Sequence, residues 1–258
     1  MALRGKVAII TGSSSGIGAG IAVVFAKEGA KLSLTGRNQK NLEEVAKNCK
    51  TKCSDDVLIN VGDVTDAAFR KTLVETTKKK FGKIDILVNN AGIAMLSPLR
   101  AATKEQYDKT MAVNVEAPVF LTQLVLPYLI ETKGCVVNIS TCGTSTIVPN
   151  GGIYIMTKAA VDTFTRFLAQ EVASQGVRVN AVKPGYVPSP ILSGQLNKEE
   201  SAMMDKTMIK ATPIGRAATA EEIGHIVAFL ASEKAAFITG ECILADGGMT
   251  MTTPPISA

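Results

Sequence analysis

Tyr154 and Lys158 stand four residues apart in YIMTK, within a stretch of helical periodicity, so their side chains share one helix face. A free tyrosine titrates near pH 10, and passing a proton near neutrality asks for a fall of roughly 3 units. One neighbouring cation supplies about 1–3 of them, so Lys158 alone is marginal for the task and further positive charge would help. Two hydroxyls stand upstream: in VVNIST, Thr141 is thirteen and Ser140 fourteen residues before Tyr154. Each offers one donor and two acceptor lone pairs. Asn114 lies in AVNVEAP, and Pro118 lacks the N–H that would close a helical bond onto its carbonyl, leaving that oxygen free for water. The chemistry suggested is proton transfer by a positioned tyrosine.

A second set of residues would hold an anion. Gly12, Gly16 and Gly18 in TGSSSGIG follow an apolar run and open a helix. With Ser14, Ser15 and Ile17 between them, they permit a tight turn and bring backbone N–H groups close to a pyrophosphate. Asp63 and Val64 end the third apolar run, where a carboxylate can accept from an adenine amino group. Asn90, Ala91 and Gly92 end the fourth, where small residues let a dinucleotide lie against the backbone.

These residues need elements to place them. Apolar runs at 6–11, 31–35, 57–61, 84–89, 135–140, 177–182 and 241–245 read as strands. Amphipathic stretches at 16–29, 38–50, 66–80, 103–131, 151–174 and 220–232 read as helices between them. Strands apolar on both faces, separated by helices, make a parallel sheet covered on both sides. The expectation is a single α/β domain over 1–258: a doubly wound, Rossmann-like parallel sheet of about seven strands with helices on both faces.

TGSSSGIG, NNAG, AVNVEAP, VVNIST, YIMTK, KPGYVPS and ITGECILADGG occur in that order over residues 4–250, and together they resemble the short-chain dehydrogenase/reductase family. The resemblance implies hydride transfer between a nicotinamide dinucleotide and a carbonyl or secondary alcohol. It implies that Tyr154 protonates the carbonyl oxygen, or deprotonates the alcohol in reverse, while Lys158 binds the nicotinamide ribose and lowers the tyrosine pKa. A hydroxyl from the fifth strand would hold the substrate oxygen, and Asn114 would hold a water in a proton relay. Pro184 and Gly185 would turn the backbone under the nicotinamide, and the Val187 backbone would fix its carboxamide. Ser189 stands where the family more often has threonine.

One motif departs from the family pattern. NISS is usual, with its second serine thirteen residues before the tyrosine; here that place is Thr141. Thr141 is therefore the expected hydroxyl, with Ser140 as substitute if a bulge shifts the register. The threonine methyl restricts χ1, and a catalytically weak dinucleotide sensor or scaffold is the alternative reading it supports. Asn114, Tyr154 and Lys158 together favour the enzyme. Residues 190–212, with Leu192, Leu196, Met204 and Met208, are expected to form a lid over an apolar small-molecule substrate. The resemblance also implies a homotetramer, or failing that a dimer; the apolar stretch 117–130 suits a helix covered by its own sheet and by a partner.

The second strand ends Thr35-Gly36-Arg37, and the next carboxylate is Glu43. An acid at that strand end accepts the ribose 2′-hydroxyl of NAD, whereas a 2′-phosphate needs a cation. Arg37, with Ser14 and Asn38 as neutral donors, therefore points to NADP(H).

Composition removes other classes. One histidine, His225, cannot build a His-rich metal centre, so no metal is expected. It lies in EEIGHIVAFL, which reads as an outer helix, so a serine-hydrolase reading built on it is set aside. Lys and Arg total 28 against 23 acids, a net +5 too weak and scattered for nucleic acid. The best membrane candidate, 111–130, carries Asn114, Glu116, Pro118 and Pro127 and reads as a buried helix of a soluble protein. The five cysteines, Cys49 and Cys53 without CxxC spacing among them, read as free thiols. With no signal peptide apparent, a reducing, cytoplasmic setting is expected.

Overall fold

Strand β1 (Val7–Thr11) is buried at every residue, as a mid-sheet strand covered by helices on both faces must be. In the computed structural model, which describes residues 1–50, 56–192 and 195–251, it pairs with β2 (Lys31–Gly36) and β4 (Ile86–Asn89). Strand β3 (Val57–Val61) lies outside β2, while β5 (Cys135–Ile139), β6 (Arg178–Pro184) and β7 (Cys242–Ala245) continue beyond β4. The order is β3-β2-β1-β4-β5-β6-β7, and every pairing is parallel. The winding reverses between β1 and β4, which opens a crevice at the carboxyl ends of the strands.

Alternate residues of each strand feed two cores. Ala8 and Ile10 pack with α1 (Gly16–Lys27), α2 (Gln39–Lys50) and α8 (Ala220–Ala231) through Phe25, Leu42 and Val227. Ile9 faces α3 (Ala67–Phe81), α5 (Ala117–Thr132) and α6 (Gly152–Val172) through Leu73, Val125 and Val172. The strands are thereby fixed from both sides, and the loops at their carboxyl ends inherit that rigidity.

The long helical region expected over 103–131 is α4 (Lys104–Met111), a π turn over Ala112–Glu116, and α5. The Ala117 N–H bonds to the Ala112 carbonyl, five residues back. The missing N–H of Pro118 is thus met by a widened turn, and Asn114 sits in it with 1% exposure. The run Lys104–Thr132 is apolar and long enough to cross a membrane by length and composition. Its Leu121, Val125 and Leu129 pack into the core below the sheet.

The expected lid contains a helix that hydrophobic periodicity does not reveal, α7 (Lys198–Lys210), after a short turn at Pro190–Leu192. A capping box starts it: Asn197 accepts from the Glu200 N–H while the Glu200 side chain accepts from the Asn197 N–H. Gln195 ties this segment to the loop after β4, donating to the Ala94 carbonyl at 2.6 Å and accepting from the Leu96 N–H at 3.0 Å. Cys53 lies outside the described residues; Cys49, Cys135, Cys142 and Cys242 are free thiols.

Candidate active site

The crevice is built on hydroxyls and glycines. Thr11, the last residue of β1, accepts from the N–H groups of Asn90 and Ala91 through Oγ1, at 2.9 and 3.0 Å. The Asn90 side chain answers by donating to the carbonyls of Thr11 and Gly12. Gly12 has φ +63°, and a Cβ there would stand 2.8 Å from Ala91 Cα; one on Gly18 would stand 2.3 Å from the Gly12 carbonyl oxygen. Neither position admits a larger residue without moving the loop. Ser15 caps α1 without a side-chain hydrogen bond, so the first-turn N–H groups near Gly16, Ile17 and Gly18 face outward, as an anion requires. The Asn90 amide thus shapes the glycine turn from behind.

Thr11 and Ser13 were not singled out by the sequence reading. Buried Ser13 accepts from the Thr35 N–H through Oγ at 3.0 Å and donates its own N–H to the Thr35 carbonyl. A small hydroxyl residue inside a glycine turn is the signal that could have found it.

At the far end of the crevice, Arg37 is 70% exposed and its Nη1 lies 4.0 Å from Asp63 Oδ2. Burial raises the Asp63 pKa, but two hydrogen bonds from Thr65 and the Arg37 charge outweigh it and hold the carboxyl below its usual range. Buried Arg70, also missed, donates to the carbonyls of Val64 and Thr65 and fixes the turn that presents Asp63. Ser14 adjoins Gly36, where an added Cβ would meet its Oγ at 3.2 Å. Asn38 spends its side-chain oxygen on the Asn41 N–H at the start of α2, so its amide nitrogen is the end left to donate.

The remaining residues converge beside Gly92, whose missing Cβ would lie 3.3 Å from Lys158 Nζ and 3.4 Å from Asn114 Oδ1. Asn114 donates to the Ile93 carbonyl and to Thr157 Oγ1 and accepts from the Ile93 N–H. It therefore ties the β4 loop to α6. Ser140 Oγ donates to the Lys158 carbonyl at 3.4 Å. Of the two hydroxyls, Thr141 is the one that acts on Tyr154, opposing the effect of burial on its pKa. It also caps the short turn Cys142–Ser145.

The expected lowering of the tyrosine pKa is absent in the protein alone. Burial pushes Tyr154 up to about 12, with the Thr141 hydrogen bond opposing. Burial also brings Lys158 down to about 8 against the pull of Asp162. The reason is geometric: Lys158 Nζ donates to the Ile139 carbonyl at 2.8 Å and lies 5.9 Å from the Tyr154 ring centre. Burial likewise pushes the Cys142 thiol up to about 11, as suits a packed bystander.

Across the crevice, Pro184 ends β6 and Gly185 bonds to the Ala245 carbonyl, with no room for a side chain against Asp246. Val187 is buried. Ser189 Cβ lies 3.1 Å from where a Gly16 Cβ would be, so it faces the glycine turn. The Tyr186 hydroxyl donates to Asp205 on α7. Among the described residues no group of acids, cysteines and histidine could hold a metal.

The family model described as enoyl-(acyl carrier protein) reductase matches residues 12–250. The chain is 35% identical to the 3-oxoacyl-[acyl-carrier-protein] reductase FabG of Thermotoga maritima, over 97% of this chain and 100% of that one. The chain belongs to the short-chain dehydrogenase/reductase family. Among solved structures, a short-chain dehydrogenase/reductase of unknown function from Caenorhabditis elegans, with cofactor, matches at TM-score 0.91 and 36% identity, covering 98% of each chain. The 3-ketoacyl-(acyl-carrier-protein) reductase of Brucella melitensis, complexed with NADH, matches at 0.88 and 33%, covering 96% of this chain and 99% of that one. Short-chain dehydrogenases/reductases are oxidoreductases that use a nicotinamide dinucleotide. The glycine turn, the uncapped start of α1 and the bare Gly92 beside Lys158 fit such a molecule.

Proposed function

We propose that the protein transfers a hydride between NADP(H) and a ketone or secondary alcohol, with Tyr154 as general acid and base. The observation that carries this reading is the convergence of Asn114 and buried Lys158 beside Gly92, with Tyr154 one turn before Lys158 on α6. Bound nicotinamide supplies or accepts the hydride. The chain's own residues manage the oxygen: Thr141 holds it, Tyr154 gives it a proton during reduction, and Asn114 holds a water that restores the proton. Lys158 and the glycine turn would hold the ribose and pyrophosphate, with Gly12, Gly16 and Gly18 keeping the backbone close.

Burial works against the tyrosinate, so the low-pKa state calls for extra positive charge beside Tyr154. A Lys158 ammonium released from the Ile139 carbonyl toward the tyrosine would provide it. Preference for NADP(H) rests on Arg37 at the end of β2, where the strand offers no acid to a ribose hydroxyl. The cavity of about 270 Å³ between the β6 loop and α7 offers an apolar substrate Pro188, Leu192, Leu196 and Met204, with Tyr186, Ser189, Ser201 and Asp205 as polar lining beside them. Exposed Phe120 and Leu124 on α5 and Phe167 on α6 support a homotetramer, with a dimer as the smaller assembly.

Thr141→Ala is expected to lower NADPH-dependent ketone reduction more than Ser140→Ala, and Thr141→Ser is expected to keep or raise it by releasing χ1. Steady-state turnover of the three variants checks this. A larger loss from Ser140→Ala would reject Thr141 as the oxygen-holding group.

A further inference from the structure

One turn beyond Lys158 on α6 stands Asp162, and opposite it on β6 stands Lys183; each residue is 8% exposed. Lys183 Nζ lies 3.7 Å from Asp162 Oδ2. The same ammonium donates to Ser145 Oγ at 2.6 Å, and Thr144 Oγ1 donates to Asp162 Oδ2 at 2.8 Å. Among the described residues, Asp162 Oδ1 has no hydrogen-bond partner. Beyond the pull of Asp162 on Lys158, neither charge enters the proton or cofactor chemistry derived above.

Burying two opposite charges costs desolvation that their attraction barely returns, and apolar side chains of similar volume would stabilise a fold as well. What distinguishes this pair is where its hydrogen bonds go. Both charges reach the same short turn, Cys142–Ser145, and that turn begins at Thr141. Its own amide bonds are long: Gly143 N–H to Thr141 Oγ1 and Thr144 N–H to the Thr141 carbonyl are both 3.3 Å, and the Thr144 hydroxyl lies nearer Asp162 Oδ2, at 2.8 Å, than the Thr141 carbonyl, at 3.1 Å. The turn is therefore held in place from outside, by Asp162 on the tyrosine's own helix and by Lys183 on the adjoining strand.

We propose that Asp162 and Lys183 are positioning residues that clamp the Cys142–Ser145 turn and so hold the Thr141 hydroxyl against Tyr154. The proposal rests on the reading of Thr141 and Tyr154 as the oxygen-handling pair. The clamp acts through Thr141: Asp162 grips the turn by Thr144, Lys183 grips it by Ser145, and their mutual attraction closes the ring.

The experiment compares Lys183→Met in two backgrounds, wild type and Thr141→Ala, using full-length protein, NADPH and cyclohexanone. In the wild-type background kcat is expected to fall at least about tenfold, as misplacement of a catalytic group does, with the KM for NADPH unchanged within about twofold. In the Thr141→Ala background the same substitution should change kcat by less than about twofold, because the group it positions is gone. Hydrogen exchange of the Gly143, Thr144 and Thr146 amides should accelerate at least about tenfold while the β5 amides stay protected. Exchange reads the clamp without turnover, so it separates failure of the clamp from failure of the oxidoreductase reading. Because Lys183→Met strands a buried carboxylate, the same measurements are made on Thr144→Val/Ser145→Ala, which keeps the ion pair and removes both holds. Wild-type exchange in that folded double variant, or an equal loss of kcat in both backgrounds, would overturn the proposal.

Discussion

Tyr154→Phe is expected to lower turnover by about 10²–10⁴-fold, the range that general acid–base catalysis contributes. The ring, its place on α6 and the cofactor crevice all survive the change, and only the hydroxyl is lost. The loss should fall on kcat, with NADPH affinity little altered, since an interaction made at the reacting oxygen adds nothing to ground-state cofactor binding. Pre-steady-state reduction of a ketone, with NADPH affinity measured separately by titration, checks both halves. Wild-type turnover in the phenylalanine variant would remove Tyr154 from the mechanism.

The second large effect is expected from Arg37→Ala. A guanidinium fork on a phosphate makes charge-assisted hydrogen bonds worth about 1.5–3 kcal/mol in all. That corresponds to a loss of NADPH affinity of about 10- to 150-fold. The low end suits the 70% exposure of Arg37, where water screens the pair, and the modest 4.0 Å approach to Asp63, which leaves the side chain free to turn toward a phosphate. NADH affinity should stay within about twofold, because no residue that shapes the pyrophosphate turn is touched. Titration of both cofactors into both proteins measures this. Equal losses for the two, or a wild-type preference for NADH, would reject the assignment.

The sheet was legible because a strand covered by helices on both faces must be a continuous apolar run; all seven strands stand within a few residues of their expected bounds. The glycine turn was legible for the same physical reason that it exists: Gly12 and Gly16 adopt positive φ. Side-chain direction was not. Spacing alone left Thr141 and Ser140 as alternatives; successive side chains of an extended chain point to opposite sides, and here the Ser140 hydroxyl is spent on the Lys158 carbonyl while Thr141 acts on Tyr154. Helix α7 was missed because its methionines make a weak stripe, although the Asn197–Glu200 capping box was present in the sequence as a start signal. Sequence separation places Lys158 near Tyr154 but says nothing of the Ile139 carbonyl that binds its ammonium. Arg70, Asp162 and Lys183 escaped notice because a charged residue in sequence is presumed solvated, and only the fold shows all three to be buried.

The most direct test of the account follows the hydride itself. NADPH carrying deuterium at the reactive carbon of the nicotinamide ring is incubated with the protein and a series of cyclic and apolar ketones, and the alcohol formed is analysed by mass spectrometry. The account predicts one deuterium on the carbinol carbon with wild-type protein, and a strongly reduced yield with Tyr154→Phe over the same time. Tight NADPH binding with no deuterium delivered to any ketone, or equal delivery by the phenylalanine variant, would contradict it.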